Sequence, residues 1–117
     1  MPTIRDLVGA IRQREGVEAA IVLGRDGLLI DSQTVPDLDA EDVAAHIPSI
    51  IAAADEFGSA ANRGALTTAV LELPRGMAII SVVSTEAILL VLVQPSANMG
   101  ELLFELRRNR QHIAALV

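Results

Sequence analysis

The sequence predicts an α+β fold, an α/β/α sandwich built on a five-stranded antiparallel sheet with elements in the order α-β-β-α-β-β-β-α. Three observations lead there. Ala87–Val93 reads Ala-Ile-Leu-Leu-Val-Leu-Val, with no polar residue at either parity. As a strand it has no wet face, and it is too short for a packed helix, so both of its faces require cover. Burying its larger side chains contributes about 1.5–3 kcal/mol each. Amphipathic segments on either side in the chain supply that cover. Finally, the strand candidates are joined by short connections, which only antiparallel neighbours allow.

Taken in order, Thr3-Ile4-Arg5-Asp6 is an N-cap with an acid three residues on, and Ile4, Leu7, Val8 and Ile11 share one helical face. Gly16 suits the end of this helix, expected near Glu15. Val17–Leu23 is the first strand, Gly24-Arg25-Asp26-Gly27 a tight turn, and Leu28–Ser32 the second strand. After a loop at Val35–Leu38, Asp39 is placed to cap a long helix, with Glu41 and Asp42 in its first turn. Val43, Ile47, Ile50, Ile51, Ala54, Phe57, Gly58 and Ala61 form its predicted buried arc. Pro48 lies inside this helix and predicts a bend there, and Asn62-Arg63-Gly64 predicts its end.

A meander follows: Ala65–Leu73, a turn at Pro74-Arg75-Gly76, Met77–Val83, and then Ala87–Val93 after Ser84–Glu86. Asn98-Met99-Gly100-Glu101 is a capping box for a last helix, whose apolar face is Met99, Leu102, Leu103, Leu106, Ile113 and Ala114. A single domain over residues 1–117 is expected. The middle helix is expected on one face of the sheet and the first and last helices on the other.

Composition narrows the function classes. A net charge of −6 and no basic cluster longer than Arg107-Arg108 argue against nucleic acid and anionic membrane surfaces. With 51% apolar residues and only Phe57 and Phe104 as aromatics, the core must be aliphatic. The chain has no cysteine, which removes disulfides and thiol chemistry and fits a reducing compartment. Every cation other than histidine is arginine. Met1–Arg14 lacks the apolar core of a signal peptide. The most apolar window, Met77–Val93, is broken by Ser81, Ser84, Thr85 and Glu86, so no membrane span is expected and a cytoplasmic location is.

Candidate chemistry is sparse. His46 and His112 fall on separate helices without metal-ligand spacing. Asp37, Asp39, Glu41 and Asp42 read as loop and cap acids, because the glycine and terminal glutamate of an EF-hand are absent. Gly24–Gly27 is not followed by the Gly-Lys-Ser/Thr of a phosphate loop. Serines 32, 49, 59, 81, 84 and 96 have no nucleophile-elbow context. Arg25, Arg63 and Arg75 lie in predicted turns, open either to solvent or to a nucleotide in a partner's pocket. No catalytic residue, cofactor or metal is assigned.

The middle helix has two unlike flanks. One carries His46, Ser49, Ala53 and Ala60; the other carries Glu41, Pro48, Asp55 and Ser59. Small side chains permit close axial approach, so the first flank reads either as a helix–helix seam or as alanine chosen for helix propensity on a wet face. Ala65–Leu73 has polar Thr67, Thr68 and Glu72 and no internal proline, which leaves its edge open to a second copy.

The element order, the Arg-Asp-Gly-Leu-Leu-Ile-Asp-Ser segment of the Val17–Ser32 hairpin, and Leu90-Val91-Leu92-Val93-Gln94-Pro95-Ser96-Ala97-Asn98-Met99-Gly100 resemble the Roadblock/LC7 family over essentially the whole chain. The resemblance implies that family's profilin/longin-like architecture and a dimer, with itself or a paralogue, whose sheets join edge to edge with the middle helices side by side. It also implies a non-enzymatic role in binding small Ras-like GTPases, by activation or by localisation. Bacterial stand-alone members partner GTPases of the gliding-motility type, whereas eukaryotic relatives act in dynein or lysosomal scaffolds. A bare, lysine-free chain fits the bacterial group better. Pro48 is the departure that bears on the partner-facing surface.

On this reading the expected dimer interface is His46, Ser49, Ala53, Ala60, Ala65, Thr67, Ala69 and Leu71, and the expected partner-binding surface is Ala45, Ala52, Asp55, Glu56 and Ser59. Two rival roles stay open at this point. One is an adaptor that joins a larger assembly without touching a GTPase. The other is a small-molecule sensor, for which the aliphatic core offers few polar groups.

Overall fold

The computed structural model describes residues 2–116. Its elements are α1 (Ile4–Arg12), β1 (Val17–Gly24), β2 (Leu29–Thr34), α2 (Ala40–Ala45), α3 (Ile47–Ala60), β3 (Thr68–Leu73), β4 (Gly76–Val82), β5 (Ala87–Val93), α4 (Met99–Arg108) and α5 (Arg110–Leu116). The strands form one five-stranded sheet in the order β2-β1-β5-β4-β3, antiparallel throughout. The all-apolar β5 is thus the central strand, and its side chains alternate between two cores. Leu89, Val91 and Val93 pack with Val8 and Ile11 of α1, Leu102 and Leu106 of α4, and Ile113 of α5. Ile88 and Leu90 pack with Ala44, Ile47 and Ile51 beneath α2 and α3. This is the expected three-layer arrangement, with the last helices beside the first.

Strand β1 keeps both faces apolar through an irregularity. Its register against β5 shifts between Val17 and Ala19, so Val17 joins the α1 side while Ala19 joins the α3 side. The first two helix caps close as read. Thr3 Oγ1 accepts from the Asp6 N–H at 3.1 Å and Asp6 Oδ2 accepts from the Thr3 N–H at 3.0 Å, completing the capping box. Asp39 Oδ1 accepts from the N–H groups of Glu41 and Asp42 at 3.1 and 3.2 Å, so this acid is a helix cap. At the last helix Asn98 Oδ1 accepts from the Glu101 N–H at 3.1 Å, but Glu101 Oε2 accepts from the Asn98 side-chain amide at 3.3 Å and not from its backbone, so a cap forms without the predicted box.

Several boundaries differ from expectation. Helix α1 stops at Arg12, and Gly16 serves the turn into β1 with φ of 84°. The second strand runs to Thr34 and leaves Leu28 exposed in the turn. The middle helix is not one bent rod but two helices that part at His46. Pro48 then sits in the first turn of α3, where its missing N–H costs nothing. The last helix is likewise parted at Asn109, whose amide Nδ2 donates to the Glu105 carbonyl at 2.9 Å.

Candidate functional site: a free strand edge and an exposed helix flank

Strand β3 begins at Thr68, later than predicted, because the chain before it is held by α3. The Leu66 N–H donates to Asp55 Oδ1 at 2.7 Å, and the N–H groups of Arg63 and Gly64 both turn back to the Gly58 carbonyl, at 2.7 and 3.2 Å. Ala65 and Thr67 therefore lie ahead of the strand, which corrects its predicted start at Ala65, although the Thr67 carbonyl still takes the first bond from β4. Both are exposed. Asp55 likewise differs from the free partner-facing acid expected of it: its carboxylate is half-buried and engaged by Leu66. Asp55→Ala is expected to lower stability by about 1–3 kcal/mol, since it strands a part-buried donor. Asp55→Asn keeps an acceptor and should recover most of that, as read by urea denaturation.

The register decides what the edge offers. The Val82 N–H donates to the Thr67 carbonyl at 2.9 Å, and Thr68 pairs with Ser81. The ladder therefore uses the backbone of Thr67, Ala69, Leu71 and Leu73, while Thr68, Val70 and Glu72 turn their N–H and C=O groups outward. Ala69 and Leu71 point beneath α3 and are half-buried. Thr68, Val70 and Glu72 share the face of α4 and α5. Val70 is 43% exposed and Leu73 57%, and no proline, lysine or bulge protects the strand.

Helix α3 lies with Ile47, Ile51 and Gly58 buried. Phe57, expected in that arc, is 72% exposed. It sits about 100° round from Gly58, on the side of Ser49, Ala53 and Ala60. All three of these are exposed, as are His46, Ala45, Ala52, Glu56 and Ser59. His46 occupies the joint between α2 and α3, where its Nδ1 lies 2.8 Å from the Asp42 carbonyl. The turn Gly24–Gly27 rests on the same joint: a Cβ added at Gly27 meets the Pro48 ring at 3.0 Å.

Among the predicted interface residues, the structure therefore groups Ser49, Ala53 and Ala60 on one helix flank and puts Ala69 and Leu71 beside the free edge. The predicted interface did not include the exposed apolar residues Phe57, Val70 and Leu73, nor Thr68 and Glu72, which the sequence marks only as polar positions of an open edge. Alternation within β3 carries Val70 with Thr68 and Glu72, the helical angle carries Phe57, and Leu73 is the exposed last residue of the strand at the other parity. Among the described residues no group of three or more His, Asp or Glu side chains is arranged to hold a metal ion. No helix among them is long and apolar enough to cross a membrane.

A central apolar strand, helices on both faces, an unguarded edge strand and an exposed small-residue flank on α3 define a three-layer α/β/α fold with two uncovered surfaces. The chain belongs to the Roadblock/LC7 domain family, whose model matches residues 3–93. An uncharacterised protein of Methanocaldococcus jannaschii is 30% identical over 106 residues, covering 91% of this chain and 92% of that one. Among solved structures, Myxococcus xanthus MglB superposes with a TM-score of 0.87 at 12% identity, over 97% of this chain and 93% of that one. A Roadblock/LC7 domain from Streptomyces avermitilis superposes with a TM-score of 0.83 at 21% identity, over 93% and 92%.

Proposed function

We propose that this protein is a non-enzymatic, cytoplasmic Roadblock/LC7 homodimer, one domain per chain over residues 1–117, that binds a small Ras-like GTPase and activates or localises it. The observation that carries the reading is the outward-facing, unguarded backbone of β3, in a chain that also exposes a small-residue flank on α3. Joining two β3 edges satisfies those backbone groups and continues one sheet across both copies. The same step sets the two α3 helices side by side, with Ser49, Ala53 and Ala60 permitting approach and Phe57 losing its exposure to water. The platform left facing outward is Ala45, Ala52, Glu56 and Ser59, with Asp55 positioned at its margin. The fold likeness to MglB supports this class of partner.

With no nucleophile, base or metal centre assigned, any acceleration of hydrolysis comes from ordering the GTPase's own switch segments. The test mixes the purified protein with a Ras-like GTPase encoded beside it and measures binding and phosphate release. Binding to the GTP state with faster release is expected for activation; binding with an unchanged rate is expected for localisation. Absence of binding in both nucleotide states ends the proposal.

A further inference from the structure

We infer that the second copy docks on β3 in one register, with Val70 facing Val70 and Glu72 of each copy reaching Arg110 of the other; this rests on the dimer proposed above. The register follows from which backbone groups are free. In an antiparallel pairing about a two-fold axis, centring on Val70 sets Thr68 against the second copy's Glu72 and uses every outward-facing residue of both strands. A centre one residue earlier sets Glu72 against Leu66, whose N–H is already held by Asp55 at 2.7 Å. A centre one residue later sets Thr68 against Pro74, which has no N–H. Both alternatives leave part of the edge unpaired.

Charge complementarity selects the same arrangement. Arg110, at the start of α5, donates from Nη2 to Thr68 Oγ1 at 2.9 Å and to the Thr67 carbonyl at 3.3 Å. Among the described residues no carboxylate bridges it. Glu72 is exposed and also has no cationic partner among them. Residues directly opposite on paired strands point to the same face, with Cβ atoms about 5 Å apart. The second copy's Glu72 thus arrives beside Thr68, on the face where the Arg110 guanidinium already lies. The two-fold repeats the pair, so the ion pairs come as a reciprocal set.

Two variants test this without relying on activity. Glu72→Arg and Arg110→Glu each place like charges across the axis, and each alone should dimerise about tenfold more weakly or worse in sedimentation. Mixed together, each cross-axis pair is again opposite in charge, so a heterodimer near native affinity should form; this recovery also shows that both chains are folded. The chain has no cysteine of its own, so Val70→Cys should oxidise to a covalent dimer. Ala69→Cys alone should not, because it sits diagonally from its own copy at about 7–8 Å, beyond the reach of a disulfide. Variants that dimerise as tightly as the native chain, a mixture that does not recover, or cross-linking through Ala69 and not Val70 would each overturn the register while leaving a dimer. A native chain that sediments as a monomer overturns the dimer reading itself.

Discussion

Gly58→Ala is expected to destabilise the protein by about 3 kcal/mol, far beyond the helix-propensity effect of that exchange, which has the opposite sign. A Cβ built on Gly58 falls 1.8 Å from the Gly64 carbonyl oxygen, and that oxygen is backbone, so no side-chain rotation relieves the clash. The contact is close because the chain folds straight back after α3. Asn62 takes a left-handed conformation with φ of 58°, and Arg63 and Gly64 return their N–H groups to the Gly58 carbonyl. Urea denaturation should show a lowered midpoint with an unchanged slope. A control, Ala52→Gly at an exposed position of the same helix, should cost only about 1 kcal/mol. Gly58 and Asp55 anchor the same return loop, so Gly58→Ala and Asp55→Ala combined should cost less than their sum. A Gly58→Ala protein as stable as the native chain would show that the loop does not close on α3 as described.

That return loop also explains where the sequence was legible and where it was not. Signals decided by neighbours a few residues apart were readable: the Thr3–Asp6 box, the Asp39 cap, the Gly24–Gly27 turn, and the two-sided burial of Ala87–Val93. Each rests on a local hydrogen bond or on one strand's own pattern. The start of β3 was not readable, because Leu66 is withdrawn from the sheet by Asp55, eleven residues earlier in the chain. Alternation extended the strand back to Ala65, where tertiary bonding had ended it. Pro48 was rightly taken to disturb the middle helix, yet a bend and a break have the same sequence. Here the helix parts at His46 and Pro48 falls in the first turn of α3, a position where proline is favoured. Phe57 shows a third limit. Hydrophobicity points to an inward residue, but its angle from Ile47 and Ile51 turns it out, and in sequence an exposed large apolar residue reads like one of the core.

The proposed site makes a sharper demand on β3. Val70→Pro is expected to leave the fold standing and to convert the protein to a monomer, abolishing GTPase binding with it. The register makes the two effects separable. Proline removes an N–H, and at Val70 that N–H points away from β4, so the pairing of β3 with β4 through Ala69 and Leu71 loses no hydrogen bond. The same change at Leu71 removes a ladder bond and should instead cost about 3 kcal/mol of stability. In the proposed dimer Val70 lies at the two-fold axis, so proline there would delete the central hydrogen bonds from both copies at once. It also puts two pyrrolidine rings against each other at the axis. Sedimentation should show a folded single subunit at concentrations where the native chain is paired, with circular dichroism of native amplitude. In the proposed dimer the α3 helices of two copies adjoin only when the edges do, so the Ala52, Glu56 and Ser59 platform should disappear in the same variant. A Val70→Pro monomer that still bound the GTPase with native affinity would place the partner's docking surface within one subunit, and the edge would then serve self-association alone.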